Sequence, residues 1–246
     1  MRITTLPAAP GILVRQLTLN FGLQPLFSQL DLEIAGGKIT ALLGASGVGK
    51  SSLMRVIAGL TPPVAGEVSG SDGLPLTGRI AWMGQQDLLY PWLTIEQNVC
   101  LASRLRGEKA DPGRARHLLA QVGLSHCARA RPATLSGGMR QRAALARTLY
   151  TRQPVVLMDE PFSALDALTR SQIQTLAAEV LADHTVLLIT HDVAEACRLA
   201  HHCLVIGPAG VEACPPLPGE PPRAADDLHV IRSQATLLKQ LSRVAG

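Results

Sequence analysis

Gly44-Ala45-Ser46-Gly47-Val48-Gly49-Lys50-Ser51 follows directly on the apolar run Ile39-Thr40-Ala41-Leu42-Leu43. This is a G-x-x-x-x-G-K-S loop in the setting that gives the pattern its meaning, with a strand before it and a helix after it. Glycines allow the backbone to curl so that successive N–H groups point inward at phosphate oxygens. The helix that follows adds the positive end of its dipole. In such a loop Lys50 reaches the β- and γ-phosphates of a nucleotide, and the Ser51 hydroxyl is a ligand for Mg²⁺.

A second chemical feature lies downstream. Val155-Val156-Leu157-Met158 is an apolar strand that ends in the acids Asp159 and Glu160. Carboxylates at the C-terminal end of a central strand lie beside the phosphate loop in open α/β sheets. Asp159 is the candidate to hold Mg²⁺ through its water shell, and Glu160 the candidate general base for an attacking water. The run Leu135-Ser136-Gly137-Gly138-Met139-Arg140-Gln141-Arg142 has two readings. It is a helix start with Ser136 as N-cap, or a second anion site in which Ser136 and the N–H groups of Gly137 and Gly138 face a γ-phosphate.

Between these landmarks the chain alternates strand and helix patterns. Ile12 to Asn20 and Gln29 to Ile34 read as an antiparallel pair, and Gly49 to Gly59 as a helix stopped by Gly59 and Pro62-Pro63. Residues 66–78 are turn-rich, with short edge strands expected, and Arg79 to Met83 is a further strand. From about Leu88 to Arg152 the periodicity becomes helical, with Asp111-Pro112 as an N-cap followed by proline. Strands return at Val155–Met158, Thr185–Ile189 and Cys203–Ile206, separated by helices near Ala167–Ala182 and Val193–Leu199. Continuous apolar strands between helices imply a parallel sheet covered on both faces. The fold class is therefore α/β: a phosphate-loop NTPase core with a mostly parallel sheet, an N-terminal antiparallel β region and an inserted helical subdomain. Residues 1–214 are expected to form the nucleotide-binding domain, with the insertion at about 88–152. Residues 215–246 hold a Pro-rich linker and a C-terminal helix.

Composition narrows the function classes. The chain has 246 residues, 47% apolar and 17% charged, enough to bury one large core. No stretch approaches the roughly 18 to 20 apolar residues that span a bilayer, and Met1 to Thr5 lacks a signal peptide's apolar core. A cytoplasmic protein is expected, with surplus apolar surface covered by a partner. The net charge of +4, without a dense Lys/Arg run, argues against nucleic acid as a partner. Five widely spaced cysteines form no C-x-x-C pair and read as reduced apolar side chains. His201-His202 has no matching ligand spacing for a metal.

Four landmarks in this order, the phosphate loop, L-S-G-G-M-R-Q-R, V-V-L-M-D-E-P-F-S-A-L-D and I-T-H-D (Ile189 to Asp192), resemble the ATP-binding cassette family, the ATPase subunits of ABC transporters. The likeness extends over roughly residues 11 to 210. It implies ATP and Mg²⁺ as cofactors and a set of site residues. Phe21 falls where the family stacks an aromatic on adenine. Gly44 to Ser52, including Ala45, Ser46, Gly47, Val48, Gly49 and Ser52, cradles the phosphates. Gln85, or its neighbour Gln86, matches the glutamine that senses Mg²⁺ or the lytic water, with the downstream run favouring Gln85. Asp166 matches the loop that crosses between subunits, and His191 the histidine at the γ-phosphate. Ala45, Ser52 and Met139 depart from the commoner Pro, Thr and Gln without removing a phosphate or Mg²⁺ contact.

The resemblance also implies partners. Two copies sandwich two ATPs head to tail, each signature run closing over the other's phosphate loop. One cassette per chain implies separately encoded permease subunits, a periplasmic or extracellular solute-binding protein, and a place at the cytoplasmic face of the inner membrane. Asp87 to Thr94 is similar to the nitrate, sulfonate and taurine importer group, whereas residues 83–87 and 135–166 are most similar to importers of hydroxymethylpyrimidine. A non-transport cassette ATPase is the alternative class; a GTPase is disfavoured because no N-K-x-D motif occurs. Of only seven Phe, Trp and Tyr residues, Trp82, Tyr90 and Trp92 lie within eleven positions, with Tyr90 and Trp92 flanking Pro91 in a loop. Trp82 is expected in the core, and the other two at a permease-facing groove.

Overall fold

The computed structural model describes residues 9–22, 24–208 and 210–245. Chain order runs β1 (Ile12–Phe21), β2 (Gln24–Ile34), β3 (Ile39–Gly44), α1 (Lys50–Ile57), β4 (Ala65–Gly70) and β5 (Ile80–Met83). Three helices follow, α2 (Ile95–Val99), α3 (Leu101–Leu105) and α4 (Pro112–Gln121), then α5 (Gly137–Tyr150). The chain closes with β6 (Val155–Asp159), α6 (Ala167–Val180), β7 (Thr185–Ile189), α7 (Val193–Leu199), β8 (His202–Gly207), β9 (Gly210–Ala213) and α8 (Leu228–Ala245).

The strands form two sheets. One has the order β2-β1-β4 and is antiparallel throughout; the other has the order β5-β6-β7-β3-β8-β9. Within the larger sheet every neighbouring pair is parallel except β8 with β9. All five residues of β6 and of β7 are buried, as expected for parallel strands covered on both faces. Alternation decides which layer each side chain joins. Leu42, Val155, Leu157, Leu187 and Ile189 pack with α1 and with Ile12, Val14 and Phe27 of the small sheet. Ala41, Leu43, Val156, Met158, Val186 and Leu188 pack on the other side with α5, α6 and α7.

Most elements fall where periodicity put them. The helical region is divided by its local chemistry. Thr94 closes a capping box on α2, with Gln97 N donating to Thr94 Oγ1 and Thr94 N to the Gln97 amide. Asp111 caps α4 ahead of Pro112, accepting from Arg114 N at 2.9 Å. Helices α2 and α4 pack on α5, whose C-terminus runs on towards β6 and so joins the insertion to the core. Strand β9 was not expected: its four residues are half-buried or exposed and exist by pairing with β8.

The proline-rich stretch has no regular element between β9 and α8, and α8 packs on α7, β8 and β3. Arg223 secures the stretch. Its buried guanidinium donates to the carbonyls of Cys197, Ala200, Pro218 and Gly219 at 2.6 to 3.0 Å. The five cysteines are free thiols, four of them buried. His201 Nδ1 accepts from Ile39 N at 3.0 Å, which ties it to the start of β3. No helix among the described residues is long and apolar enough to cross a membrane.

Candidate active site

The C-terminal ends of β3 and β6 open on one cavity of about 620 Å³. Its floor is the turn after β3, with Ser46, Gly47, Gly49, Lys50, Ser51 and Ser52; its walls carry Gln85, Asp159 and Glu160, and the Gln24–Leu26 edge of β2. Two glycines are required here by space. A Cβ on Gly44 would stand 2.5 Å from the carbonyl oxygen of Ile206, and one on Gly49 2.7 Å from Phe27 Cζ. Gly49 also has φ 102°, a conformation that side chains resist, and it leads into α1 with no side chain capping the helix. The first N–H groups of α1 therefore face the cavity without a side-chain acceptor.

Lys50 reaches back over this turn. Its Nζ donates to the carbonyls of Gly44 and Ala45, both at 2.8 Å, so the ammonium is held over the loop. Ala45 O also accepts from Val48 N, and Val48 packs towards the small-sheet core. Burial pushes the Lys50 pKa down, while Glu160 and Asp159 pull it back up. Burial likewise pushes the Asp159 carboxyl above its usual range; the Ser51 hydroxyl opposes this, Glu160 reinforces it, and Lys50 and Arg55 oppose it.

Glu160 has φ +49°, a left-handed conformation that is strained for a residue with a side chain. Its N–H donates to Ile189 O at 2.9 Å, and its Oε1 lies 3.2 Å from His191 Nδ1. The strain turns the carboxylate out of β6 towards the cavity and brings it within reach of the turn after β7. Gln141, buried on α5, holds the same bend: its Nε2 donates to Glu160 O at 3.1 Å and its Oε1 accepts from Ala164 N at 2.8 Å.

The structure thus gathers Ser46, Gly47, Gly49, Lys50, Ser51, Ser52, Gln85, Asp159 and Glu160 around one space, with His191 against Glu160. Gln85 lines the cavity and Gln86 does not. Ser136, Gly137, Gly138 and Asp166 are not part of this wall. Ser136 caps α5, its Oγ accepting from Met139 N at 3.3 Å, and Gly138 fits closely against Ala164 O. Asp166 caps α6 through Thr169 N at 3.0 Å, and that backbone N–H holds its carboxyl below the usual range. The side chain of Phe21 is outside the described residues.

A phosphate cradle, a capping lysine and two strand-end acids are the equipment of a nucleoside triphosphatase, and residues 27–163 match the family model for the ABC transporter. The chain belongs to the ABC transporter family. It is 45% identical over 195 residues to an uncharacterized ABC transporter ATP-binding protein of Haemophilus influenzae, covering 78% of this chain and 80% of the relative. It is also 45% identical over 193 residues to the aliphatic sulfonates import ATP-binding protein SsuB 2 of Burkholderia cenocepacia, covering 76% and 70%. The dimeric structure of MJ0796, a bacterial ABC transporter cassette, superposes with a TM-score of 0.76 at 29% identity, covering 85% of this chain and 99% of that one. The same cassette in a post-hydrolysis state bound to ADP and Pi gives 0.75 at 29% identity, again covering 85% and 99%. As a cassette of this family the chain binds ATP and is an ATPase.

Some residues around this cassette's site carry no motif of their own. Gln141 falls inside the signature run but reads there as helix surface; Arg170 and Glu195 read as ordinary helix residues. Arg140 and Arg147 of α5 also matter, because they fasten the segment after Gln85. Arg140 Nε donates to Asp87 Oδ2 at 3.0 Å, and Arg147 donates to the carbonyls of Asp87 and Leu88 at 2.6 and 2.7 Å. Asn98, fully buried, exchanges hydrogen bonds with Tyr90 N and O. The loop so fastened presents Tyr90 and Trp92 outward, 40% and 64% exposed, as an edge-to-face pair 5.2 Å apart. Trp82 is half-buried against the small-sheet core.

Proposed function

We propose that this ATPase is the energy-coupling subunit of a bacterial importer, acting at the cytoplasmic face of the inner membrane. It works with separately encoded permease subunits and a periplasmic or extracellular solute-binding protein. The single observation that carries the catalytic reading is the placement of Glu160, strained out of β6 beside Lys50's cavity and 3.2 Å from His191. Lys50 and the loop N–H groups bind the β- and γ-phosphates, and Phe21 stacks on the adenine. Glu160 takes the proton of the attacking water as the bond between the γ-phosphorus and the bridging oxygen breaks. His191 keeps Glu160 and the γ-phosphate in line, and Gln85 orients the water. Ser136, Gly137, Gly138 and Asp166 serve a second copy's nucleotide in a head-to-tail, ATP-dependent homodimer. Their position away from the chain's own cavity supports this, as does the dimeric form of the MJ0796 cassette.

Ser51, Asp159 and the Gln85 amide are hard oxygen donors at one edge of the cavity, a set that suits Mg²⁺. When bound, the ion neutralises charge on the phosphate oxygens. For the solute we infer an aliphatic sulfonate, because the importer relative reported above carries that name; hydroxymethylpyrimidine rests on resemblance within 83–87 and 135–166 alone. The exposed Tyr90 and Trp92 are the proposed anchors for a permease helix.

Glu160→Gln tests the core of this reading. Turnover should fall by about a thousandfold or more while ATP binding persists, since an amide cannot take the water's proton. Light scattering should show the variant as a dimer with ATP and a monomer with ADP or no nucleotide. Near-normal hydrolysis refutes the general-base role, and equal mass in all three states refutes the sandwich. Stimulation of ATPase activity in the reconstituted transporter by a sulfonate, and not by hydroxymethylpyrimidine, decides the solute.

A further inference from the structure

Behind His191 lies a second, much smaller cavity of about 50 Å³. Its lining includes Glu160, Ser163, Arg170, His191, Asp192 and Glu195. Glu195 is only 6% exposed. Its Oε2 accepts from Gln174 Nε2 at 3.0 Å, and Gln174 in turn accepts from Arg198 at 2.7 Å. Its Oε1 is buried and has no hydrogen-bonding partner in the protein; neither has the buried Nε of Arg170 on the same cavity. Both residues line the same polar cavity beside the Thr190–Asp192 turn, so a buried acceptor and a buried donor there are left to the electrostatics of that turn.

The two residues grip the turn that carries His191 from both sides. Arg170 Nη2 donates to Leu165 O at 2.8 Å, next to Asp166, and Nη1 stands 3.8 Å from Asp192 Oδ2. Asp192 caps α7 through Ala194 N and Glu195 N, and its own N–H donates to Thr190 Oγ1 at 3.0 Å. We infer that Glu195 is a positioning residue which, with Arg170, sets the stance of the Thr190–His191–Asp192 turn and so the reach of His191 to Glu160. The inference rests on the roles proposed above for His191 and Glu160.

The grip depends on whether Glu195 is ionised. Burial pushes its pKa from 4.5 to about 7, with Asp192 adding to the shift and Thr190, Gln174 and Arg170 opposing it. The charged groups around it are Arg170 on α6, Asp192 and Arg198 on its own helix, and His191 and Glu160 across the cavity. The neutral acid leaves Arg170 free to hold Leu165 O and Asp192. The carboxylate competes with Asp192 for the same guanidinium and loosens the turn. Because the folded pKa is raised, this acid's contribution to stability is fully present below about 4.5 and is lost as pH rises through about 7.

The test is ATP turnover of the full chain at saturating ATP, from about pH 6 to about pH 8, for wild type, Glu195→Gln, Glu195→Ala and His191→Ala. The amide mimics the neutral acid, so the ratio of Glu195→Gln to wild-type turnover should rise about threefold across that range. The melting temperature of Glu195→Gln should gain on wild type over the same range. Glu195→Ala should lose about tenfold in kcat with the KM for ATP within about twofold of wild type, and Glu195→Gln should restore most of the loss at the acid end. If Glu195→Ala does not fold, the Glu195→Gln ratio still decides. A flat ratio, with His191→Ala inactive, overturns the role of Glu195 alone. Wild-type turnover in His191→Ala overturns both this inference and the role given to His191.

Discussion

Helices α1 and α5 both begin in glycine-containing turns, but the two N-termini are finished differently. Helix α1 follows Gly49 with no side-chain cap and opens on a deep cavity, with Lys50 folded back over the loop. Helix α5 is closed by its own Ser136, and Gly138 is pressed against Ala164 O. The first end lacks an internal acceptor for its N–H groups, so it gains most from an anion. The second has already satisfied part of its donor set inside the chain, so it can spare the Ser136 hydroxyl proton and the outward N–H groups only for a ligand brought to it. In the proposed sandwich one chain completes one half of a nucleotide site and displays the other half, and the exposed Tyr90 and Trp92 are the proposed permease-facing surface.

Substitution at the end that opens on the chain's own cavity should have the largest effect. Lys50→Ala removes the ammonium held over the loop and should weaken ATP binding by about a hundredfold or more, read by labelled-ATP binding. Binding within about threefold of wild type would break the comparison, because the uncapped helix end would then suffice. At the displayed end, Ser136→Ala should leave ATP affinity unchanged within about twofold and lower turnover about tenfold. The lost cap should also cost about 1 kcal/mol, seen as a lower melting temperature. Ser136→Asn restores the cap without the hydroxyl, so it should recover the melting temperature and not the turnover. The smallest effect on the isolated chain is expected from the double change Tyr90→Ala and Trp92→Ala. Melting temperature should move by less than a few degrees and basal hydrolysis hardly at all, while co-purification with the permease falls. A drop of several degrees would show that the pair supports the fold of its own insertion.

The reading of individual segments from sequence depended on how local their causes are. Asp111-Pro112 and Ser136 signal their helix starts within four residues, and each cap forms as the chemistry of those residues demands; Thr94 and Asp166 cap α2 and α6 by the same local chemistry, unread in the sequence. The apolar runs of β3, β6 and β7 required burial on both faces and received it. By contrast β9 has no alternation, and nothing in Gly210 to Ala213 requires a strand until β8 lies beside it. The downstream run favoured Gln85 over Gln86, and with Asp87 and Leu88 fastened to α5 by Arg140 and Arg147 it is Gln85 that lines the cavity.

What the amino-acid order determined alone was the chemistry on offer: a phosphate loop with Lys50 and Ser51, a strand ending in Asp159 and Glu160, a signature run at Ser136, and a histidine after β7. These are contiguous patterns, and contiguous patterns act through backbone geometry that a few residues set. Only the tertiary structure decided which of them share a space. It put Glu160 in a left-handed conformation against His191, with Gln141 from α5 securing the bend. It set Ser136 and Asp166 away from the chain's own cavity, and it faced Arg170 with Glu195 behind the His191 turn. Those relations join residues 19 to 31 positions apart, and Gln141, Arg170 and Glu195 are side chains whose types are unremarkable in sequence. Sheet order and helix packing bring them together, and neither is written in any short stretch of the chain.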